Sequence, residues 1–237
     1  MKNIEGKVVV IVGATGDIGG ELAVNFSNRK ARVVAVGRDL DKLLNLVRRS
    51  GVARIIPFRA DCSRMEDVSA ILGEFEKVDL LITSVGSWQE IGKDETPDKF
   101  GAQLDLDFDS VAKAAINPIY RLNQYFLESK EGHIVDISSH AAEDTSLLGD
   151  LTYGPAKTAV KAFIELLRSE NGRNSGVVIS RIVAQLVDTP KNRIKYQHTE
   201  EEWGTAVQIS KIADWIVANL NNPNAEKDPF FAGKLKV

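Results

Sequence analysis

Short apolar runs rich in β-branched residues alternate with helical patterns along most of this chain, and no other feature constrains its fold as strongly. The predicted strands are the runs at 7–12, 31–37, 53–60, 78–84, 133–138 and 177–183. They are apolar on both faces, as strands are when helices cover both sides of a parallel sheet. Helical patterns lie between and after them, at 18–29, 40–50, 65–76, about 107–129, about 152–170 and near 206–220. The alternation predicts an α/β fold with a doubly wound parallel sheet in three layers.

Composition limits the class of protein and its partners. The 237 residues carry a net charge of −3, which gives no support to nucleic-acid binding. No apolar run approaches the roughly 20 residues of a membrane helix, and the start MKNIEGKVVV lacks the layout of a signal peptide. A lone cysteine, Cys62, cannot form a disulfide within the chain. We find no linker and no repeat, so we expect one cytoplasmic domain over residues 1–237 that binds neither nucleic acid nor membrane.

The first strand runs into a glycine-rich turn, VVVIVGATGDIGG at 8–20. Gly13 suits a tight turn, Gly16 a close approach of backbone to a pyrophosphate, and Gly19 close packing of helix on strand. The helix that follows offers unpaired N–H groups and a partial positive charge to phosphates. The turn therefore predicts a dinucleotide site that includes Thr15, Asp17 and Ile18. The alternative is a tight turn without a ligand.

Asp17 is unexpected, because it places a carboxylate where anionic phosphates would lie. An aspartate at a helix start can cap the helix by accepting a backbone N–H. We therefore expect its carboxylate to turn away from the pyrophosphate.

The end of the second predicted strand indicates which dinucleotide is bound. The sequence there reads VAVGRDLDKL, with Gly37 where an acid would hold a ribose 2′-hydroxyl, and Arg38 next to it. A guanidinium makes bidentate, charge-assisted bonds to phosphate, which suits a 2′-phosphate. This favours NADP as cofactor, with NAD possible. Alternatively, Arg38 is a solvated residue at the start of a helix.

A second cluster lies in SSHAAEDTSLLGDLTYGPAK, residues 138–157. Tyr153 and Lys157 are four residues apart and share a helix face. An ammonium beside a phenol stabilises the phenolate, which makes the tyrosine usable in acid–base catalysis. The serine pair, Ser138 and Ser139, ends a predicted strand, the place where open α/β sheets bind ligands. A serine hydroxyl there can hydrogen-bond a carbonyl as charge develops on its oxygen.

These residues make the chain similar to the short-chain dehydrogenase/reductase family of single-domain Rossmann enzymes, over nearly all of residues 5–220. The resemblance implies Tyr153 as general acid/base, Lys157 as its partner and a ligand of the nicotinamide ribose, and Ser139 as the group that polarises the carbonyl, with Ser138 as the alternative. It also implies that Asn117, in KAAINPIYRLN, anchors a water that connects to Lys157. Pro118, which follows, predicts a local kink.

The resemblance implies further contacts around the same site. Asp61 and Cys62 would meet the adenine, Ser84 and Gly86 the cofactor ribose region, and Val187 and Thr189 the nicotinamide carboxamide. The loop at 188–205 would be a mobile substrate lid, and the protein a homodimer or homotetramer.

The chain also departs from the family at several positions. Thr83-Ser84-Val85-Gly86 stands where Asn-Asn-Ala-Gly is usual, which puts the ribose contact near Ser84 in doubt. Ala184-Gln185 stands where Pro-Gly is usual. The glycine spacing is more typical of two-domain, epimerase-like relatives.

The leading hypothesis is an NADP(H)-dependent oxidoreductase acting on a carbonyl or secondary alcohol. The alternatives are a non-catalytic NADP(H)-binding regulator and, less favoured, an NAD-dependent epimerase or dehydratase. The three histidines lack the spacing of a metal site, and we expect no metal. The small-molecule substrate stays open, because Leu147, Leu148 and Leu186 suggest an apolar compound whereas Lys191, Arg193 and Lys195 suit an acidic one.

Overall fold

The computed structural model describes residues 4–51, 54–86, 88–144, 151–172, 175–204 and 206–232. In this part of the chain seven parallel strands form one sheet in the order β3-β2-β1-β4-β5-β6-β7. The strands are β1 Val8–Val12, β2 Arg32–Gly37, β3 Ile55–Arg59, β4 Leu80–Thr83, β5 Gly132–Ile137, β6 Val177–Ala184 and β7 Phe230–Phe231. The predicted doubly wound sheet is confirmed.

Helices connect the strands and cover both faces of the sheet. They are α1 Asp17–Asn28, α2 Leu40–Ser50, α3 Met65–Gly73, α4 Pro97–Asp107, α5 Ala114–Ser129, α6 Tyr153–Asn171, α7 Pro190–Lys195, α8 Glu200–Trp203 and α9 Ile209–Ala218. A π-helical segment, Phe108–Lys113, joins α4 to α5, and a 3₁₀ turn, His140–Ala142, follows β5.

Successive side chains of the strands point to opposite faces of the sheet and belong to two separate hydrophobic cores. In β1, Val9 and Ile11 belong to the cluster that contains residues of α1, α2 and α9. Val10 and Val12 belong to the cluster under α3, α5 and α6. Each fully buried aliphatic side chain contributes about 1.5–3 kcal/mol, so a strand that is apolar on both faces is held from both sides.

The strand order places a crevice at the middle of the sheet. β1 pairs with β2 on one side and with β4 on the other, so successive connections run in opposite directions from β1. In open α/β sheets such a switch point leaves a crevice beyond the carboxyl ends of the strands. The loops after β1, β4 and β5 therefore meet at one place.

The helix predicted at about 107–129 is wrong in its start and in its regularity. It begins upstream as α4, at Pro97, and the π segment Phe108–Lys113 interrupts it before α5. The sequence predicted a kink at Pro118, and this proline lies inside α5. Because a π segment inserts an extra residue into the helical turn, the irregularity can lie upstream of the proline.

The segment predicted as a loop at 188–205 contains two short helices. Thr189 caps α7 by accepting the N–H of Asn192, and Thr199 forms a capping box with Glu202 at the start of α8. A bridge between Val187 and Val207 joins the two ends of the segment. A plain loop is therefore the wrong description, since local caps supply this segment with regular structure.

A hydroxyl–carboxyl pair joins the side chains of the two middle strands. The Thr83 hydroxyl on β4 donates to the Asp136 carboxyl on β5 at 2.7 Å, and both residues are fully buried. The second carboxyl oxygen of Asp136 has no hydrogen-bond partner among the described residues. The hydrogen bond from Thr83 to Asp136 is therefore the polar contact between the side chains of these two strands at this position.

Replacing Thr83 by valine should lower the free energy of unfolding by about 2 kcal/mol, because the isosteric side chain leaves the buried carboxyl of Asp136 without that donor. The measurement is urea unfolding at neutral pH. Thr83→Ser is the matched control, because it keeps the hydroxyl and should cost about 1 kcal/mol for the lost methyl group. Equal losses in the two variants would contradict the role of the hydroxyl.

Candidate functional site

A cleft of about 1390 Å³ occupies the crevice at the carboxyl ends of the strands. Most of the residues predicted for the site line it: Gly13, Thr15, Gly16, Asp17, Ile18, Arg38, Asp61, Cys62, Ser84, Gly86, Ser139, Tyr153, Lys157, Val187 and Thr189. Gly19 and Asn117 are not among its lining residues.

The glycine turn is as tight as its sequence suggests. Gly13 has φ +84°, and a Cβ there would lie 2.3 Å from the carbonyl oxygen of Ser84. A Cβ on Gly19 would lie 2.4 Å from the carbonyl oxygen of Gly13. Only glycine fits at both positions, since atoms cannot approach so closely. Gly19 therefore packs α1 against the strand end and does not face the cleft.

The start of α1 fits the phosphates of a dinucleotide. Its N-cap is Gly16, which supplies no side-chain cap, and Gly16, Asp17 and Ile18 all line the cleft. The first N–H groups of a helix have no partner within the helix and attract anions. These residues thus leave backbone donors facing the cleft.

The Asp17 carboxylate does not cap α1, although an aspartate at a helix start can do so. Asp17 is the first residue of the helix, and its carboxylate accepts the backbone N–H of Lys191 at 3.1 Å. That N–H belongs to the first turn of α7. The acidic residue therefore ties α7 to the glycine-rich turn.

Two cations line the end of the cleft next to β2. Arg38 follows Gly37 directly, and Lys42 lies one turn into α2, whose N-cap is Asp39. A Cβ on Gly37 would lie 2.6 Å from the Cγ2 atom of Thr15, so the threonine side chain fills the space that an acidic side chain would need. Lys42 was not among the residues predicted from the sequence for this site.

Asp61 and Cys62 follow β3 at the same end of the cleft. Burial raises the pKa of Asp61, but hydrogen bonds from Ser63 and the charges of Arg38 and Arg64 outweigh it, so the pKa lies below its usual value. Burial raises the pKa of the Cys62 thiol to about 12. Cys62 is therefore protonated at neutral pH and is a packing residue at the cleft wall.

Asn117 lies behind this wall. Its amide donates to the carbonyl oxygens of Cys62 at 3.1 Å and Ser63 at 2.9 Å. These bonds tie α5 to the segment after β3, and they give no support to the predicted water link to Lys157. Ser110, from the π segment, lines the cleft, although no sequence signal distinguishes it from its neighbours.

Lys157 is fixed at the centre of the cleft. It is 2% exposed, and its ammonium donates to the carbonyl oxygens of Val85 at 2.9 Å and Ile137 at 3.0 Å. These carbonyls lie beyond β4 and at the end of β5, so the lysine ties α6 to both strands. The ammonium lies 5.9 Å from the centroid of the Tyr153 ring.

Tyr153 lies against the chain that follows β4. Gly86 has φ +142°, and a Cβ there would lie 3.1 Å from the Tyr153 hydroxyl oxygen and 3.4 Å from Cε of Lys157. Glycine at this position therefore leaves room for the phenol beside the lysine. The hydroxyl of Tyr153 and the side chain of Lys157 therefore lie together at the ends of β4 and β5.

The two serines after β5 differ in exposure. Ser139 is partly exposed, and its hydroxyl oxygen accepts the N–H of Ala141 at 3.2 Å. Ser138 is 7% exposed and lies 3.5 Å from a guanidinium nitrogen of Arg181, a weak contact at most. Both line the cleft, but Ser139 presents more of its side chain to it.

Buried charges hold the turn that carries these serines. Arg181, on β6, is 3% exposed and pairs with Glu143, just after the 3₁₀ turn, and with Asp228 at 3.2 Å. Lys161 on α6 pairs with the other oxygen of Glu143 at 2.7 Å. Burial alone would raise the pKa of Glu143, but the bonds from Lys161 and Arg181 outweigh it and hold the pKa below its usual 4.5.

We expect Glu143→Gln to lower the free energy of unfolding by about 1–2 kcal/mol at neutral pH, through loss of charge-assisted bonds. Because the pKa of Glu143 is lowered by folding, its contribution is complete above pH 4.5 and is lost as the pH falls through the lowered value. The stability gap between wild type and variant should therefore shrink on acidification, measured by urea unfolding across pH. Glu165→Gln, on the exposed face of α6, is the control. A gap that does not change with pH would contradict this role.

The described residues contain neither a candidate metal site nor a candidate membrane-spanning helix. They contain no group of three or more His, Cys, Asp or Glu residues placed to hold a metal ion. None of the described helices combines the length and apolarity needed to cross a bilayer.

Comparison with known proteins agrees with this arrangement. The family model for short chain dehydrogenases matches residues 7–200. An uncharacterized oxidoreductase of Staphylococcus saprophyticus is 27% identical over 234 residues, which cover 94% of this chain and 93% of the relative.

Two solved structures share the fold. A short chain dehydrogenase from Burkholderia cenocepacia in complex with NADP has a TM-score of 0.77 at 19% identity, covering 98% of this chain and 90% of that one. A 3-oxoacyl-[acyl-carrier protein] reductase from Brucella melitensis with bound NAD has a TM-score of 0.78 at 22% identity, covering 98% and 91%. With the family match over most of its length, this chain belongs to the short-chain dehydrogenase family of oxidoreductases.

Proposed function

We propose that the protein is an NADP(H)-dependent oxidoreductase that transfers a hydride between the nicotinamide and a carbonyl or secondary alcohol carbon. The observation that carries this proposal is the meeting of Tyr153 and Lys157 at the ends of β4 and β5, with Gly86 leaving space at the phenol hydroxyl. The same cleft contains the uncapped start of α1.

The chain's own residues divide the work between binding and proton transfer. When bound, the nicotinamide supplies or accepts the hydride. The N–H groups at the start of α1 bind its phosphates, while Val187 and Thr189 line the nicotinamide end. Tyr153 gives its hydroxyl proton to the carbonyl oxygen during reduction and takes it back during oxidation. Ser139 donates a hydrogen bond to the same oxygen as its negative charge grows.

Lys157 has two tasks in this proposal. Its positive charge, held at a fixed place by two carbonyls, stabilises the phenolate that Tyr153 becomes after giving up its proton. When the cofactor is bound, Lys157 would also hold its nicotinamide ribose. Asn117 acts as a positioning residue, because its amide holds the segment of Cys62 and Ser63 at the adenine end.

Charge at the ribose end supports NADP over NAD. Arg38 and Lys42 line the cleft there, and Gly37 contributes no carboxylate to oppose a 2′-phosphate. Solved neighbours with NADP and with NAD both share this fold, so the preference depends on these residues alone. The single-domain organisation, the homodimer or homotetramer and the cytoplasmic location remain predictions.

Tyr153→Phe should lower turnover at least about 10²–10⁴-fold, the usual contribution of a general acid–base. NADPH binding, measured by titration of its fluorescence, should be nearly unchanged. The assay follows NADPH consumption with a panel of ketones and aldehydes. Tyr120→Phe, an exposed tyrosine on α5, is the matched control. Retained turnover in Tyr153→Phe would refute the catalytic assignment. Tight NADPH binding without turnover of any carbonyl by the wild type would favour a non-catalytic regulator.

Arg38→Ala should weaken NADPH binding about 10–100-fold, as expected for loss of a charge-assisted bond to phosphate. NADH binding should hardly change, because NADH lacks the 2′-phosphate. Both affinities are measured by fluorescence titration, with Arg48→Ala, whose guanidinium bonds Asn45 on the outer face of α2, as control. Tighter binding of NADH than of NADPH by the wild type would overturn the role given to Arg38.

A further inference from the structure

Helix α7 lies along the cleft and links its two ends. At its first turn the N–H of Lys191 donates to Asp17 at the phosphate-binding turn. At its last residue the ammonium of Lys195 lies 3.2 Å from the centroid of the Trp88 ring, on the segment after β4. Lys191, Lys195 and Trp88 all line the cleft. The helix thus runs from the glycine-rich turn towards the wall that follows β4.

Trp88 is close to the reaction centre along the chain. It comes two residues after Gly86, which lies against the Tyr153 hydroxyl. Two residues span at most about 7 Å of extended chain. The backbone that carries the tryptophan is therefore within about 7 Å of the chain beside Tyr153, and the ammonium of Lys195 contacts the ring that this backbone carries.

The basic residues of α7 have different surroundings. Arg193 is bound to Asp188 at 2.6 Å and to Glu200 at 2.7 Å, and it lies over the Trp203 ring. Lys195 contacts the rings of Trp88 and Tyr196 but forms no ion pair with the described residues. Arg193 is therefore structural, whereas the ammonium of Lys195 keeps its charge available to a ligand.

The electrostatic surroundings of Lys195 favour an added anion. Burial and the charge of Lys191 lower its pKa, and Glu90 opposes that effect. Two ammonium groups one helical turn apart repel each other, and an anion between them and the tryptophan relieves that repulsion. The ring of Trp88 holds the ammonium at a fixed place.

We propose that the substrate is an oxo acid, whose carboxylate binds Lys195 beside Trp88 while its carbonyl faces Tyr153. This inference rests on the proposed carbonyl chemistry and assigns the class of its substrate. Lys195 is a specificity-determining residue, and it decides between the apolar and acidic substrates that the sequence left open. Of the apolar candidates, Leu147 and Leu148 lie outside the described residues, and Leu186 lines the cleft but is 5% exposed.

Equilibrium binding tests the inference without any need for turnover. The probes are a homologous series of straight-chain oxo carboxylates and the corresponding oxo carboxamides, which match in shape and differ in charge. Each is titrated calorimetrically into the protein saturated with NADP⁺. We expect at least one carboxylate to bind about tenfold more tightly than its amide, the effect of one charge-assisted bond.

Three variants separate the contribution of Lys195 from general charge effects. Lys195→Gln should abolish the preference for the carboxylate. Glu90→Gln should increase it, because the variant removes the negative charge that acts on Lys195. Lys211→Gln, an equal charge change at an exposed position on α9, should leave it unchanged. All titrations should be made at the same near-physiological salt concentration, because salt screens the electrostatic attraction that they measure.

Each outcome decides one of the two proposals. Equal affinity for carboxylates and amides, no binding of either, or a preference retained in Lys195→Gln overturns the oxo-acid inference. NADPH consumption with neutral carbonyls but no carboxylate preference leaves the proposed function standing and removes only this inference. Carboxylate preference without NADPH consumption on any carbonyl supports the anion site and contradicts the oxidoreductase proposal.

Discussion

The site depends on one buried charge, the ammonium of Lys157. Removing an ammonium from water costs several kcal/mol unless hydrogen bonds replace the lost hydration. The carbonyls of Val85 and Ile137 supply that replacement, and they lie just after β4 and at the end of the neighbouring β5. The lysine therefore fixes α6 relative to β4 and β5, and with it the tyrosine one turn earlier. The need for a small residue at position 86 follows, because the tyrosine and the lysine already fill that space.

A second set of contacts positions the walls around this centre. Asp17 holds α7 to the glycine-rich turn after β1, and Asn117 holds the segment after β3 to α5. Arg181 and Lys161 hold Glu143, and thereby the turn that carries Ser139. Each contact joins elements far apart in sequence across the carboxyl edge of the sheet. The cleft is thus bounded by polar tertiary contacts, while the two apolar cores set only the position of the sheet.

The sequence predicted the sheet and most of the cleft because both depend on local pattern. Apolar runs defined six strands to within two residues, and strand ends placed Gly13, Ser139 and Arg38 at one edge. The predictions from the sequence failed where contacts between residues far apart in the chain determine the direction of a side chain. Nothing local indicates that the Asp17 carboxylate accepts an N–H from residue 191, or that the Asn117 amide turns to the segment after β3.

The irregularity between α4 and α5 also could not be predicted from the sequence. Pro118 pointed to a kink at its own position, but the π segment lies upstream, where packing against α6 determines which residue faces the cleft. The residue presented there is Ser110 and not Asn117. The short helices in 190–203 were missed because each is only four to six residues long, although Thr189 with Pro190 and Thr199 with Glu202 mark their starts.

The contact between Gly37 and Thr15 couples the packing at two positions of the cleft. A side chain at 37 would meet the methyl group of Thr15 at 2.6 Å, so an acid cannot be added there while that threonine keeps its place. An acidic residue at 37 therefore requires Thr15 to change its rotamer or to be replaced by a smaller residue. The two positions have to change together, so the preference proposed for NADP rests on packing as well as on charge.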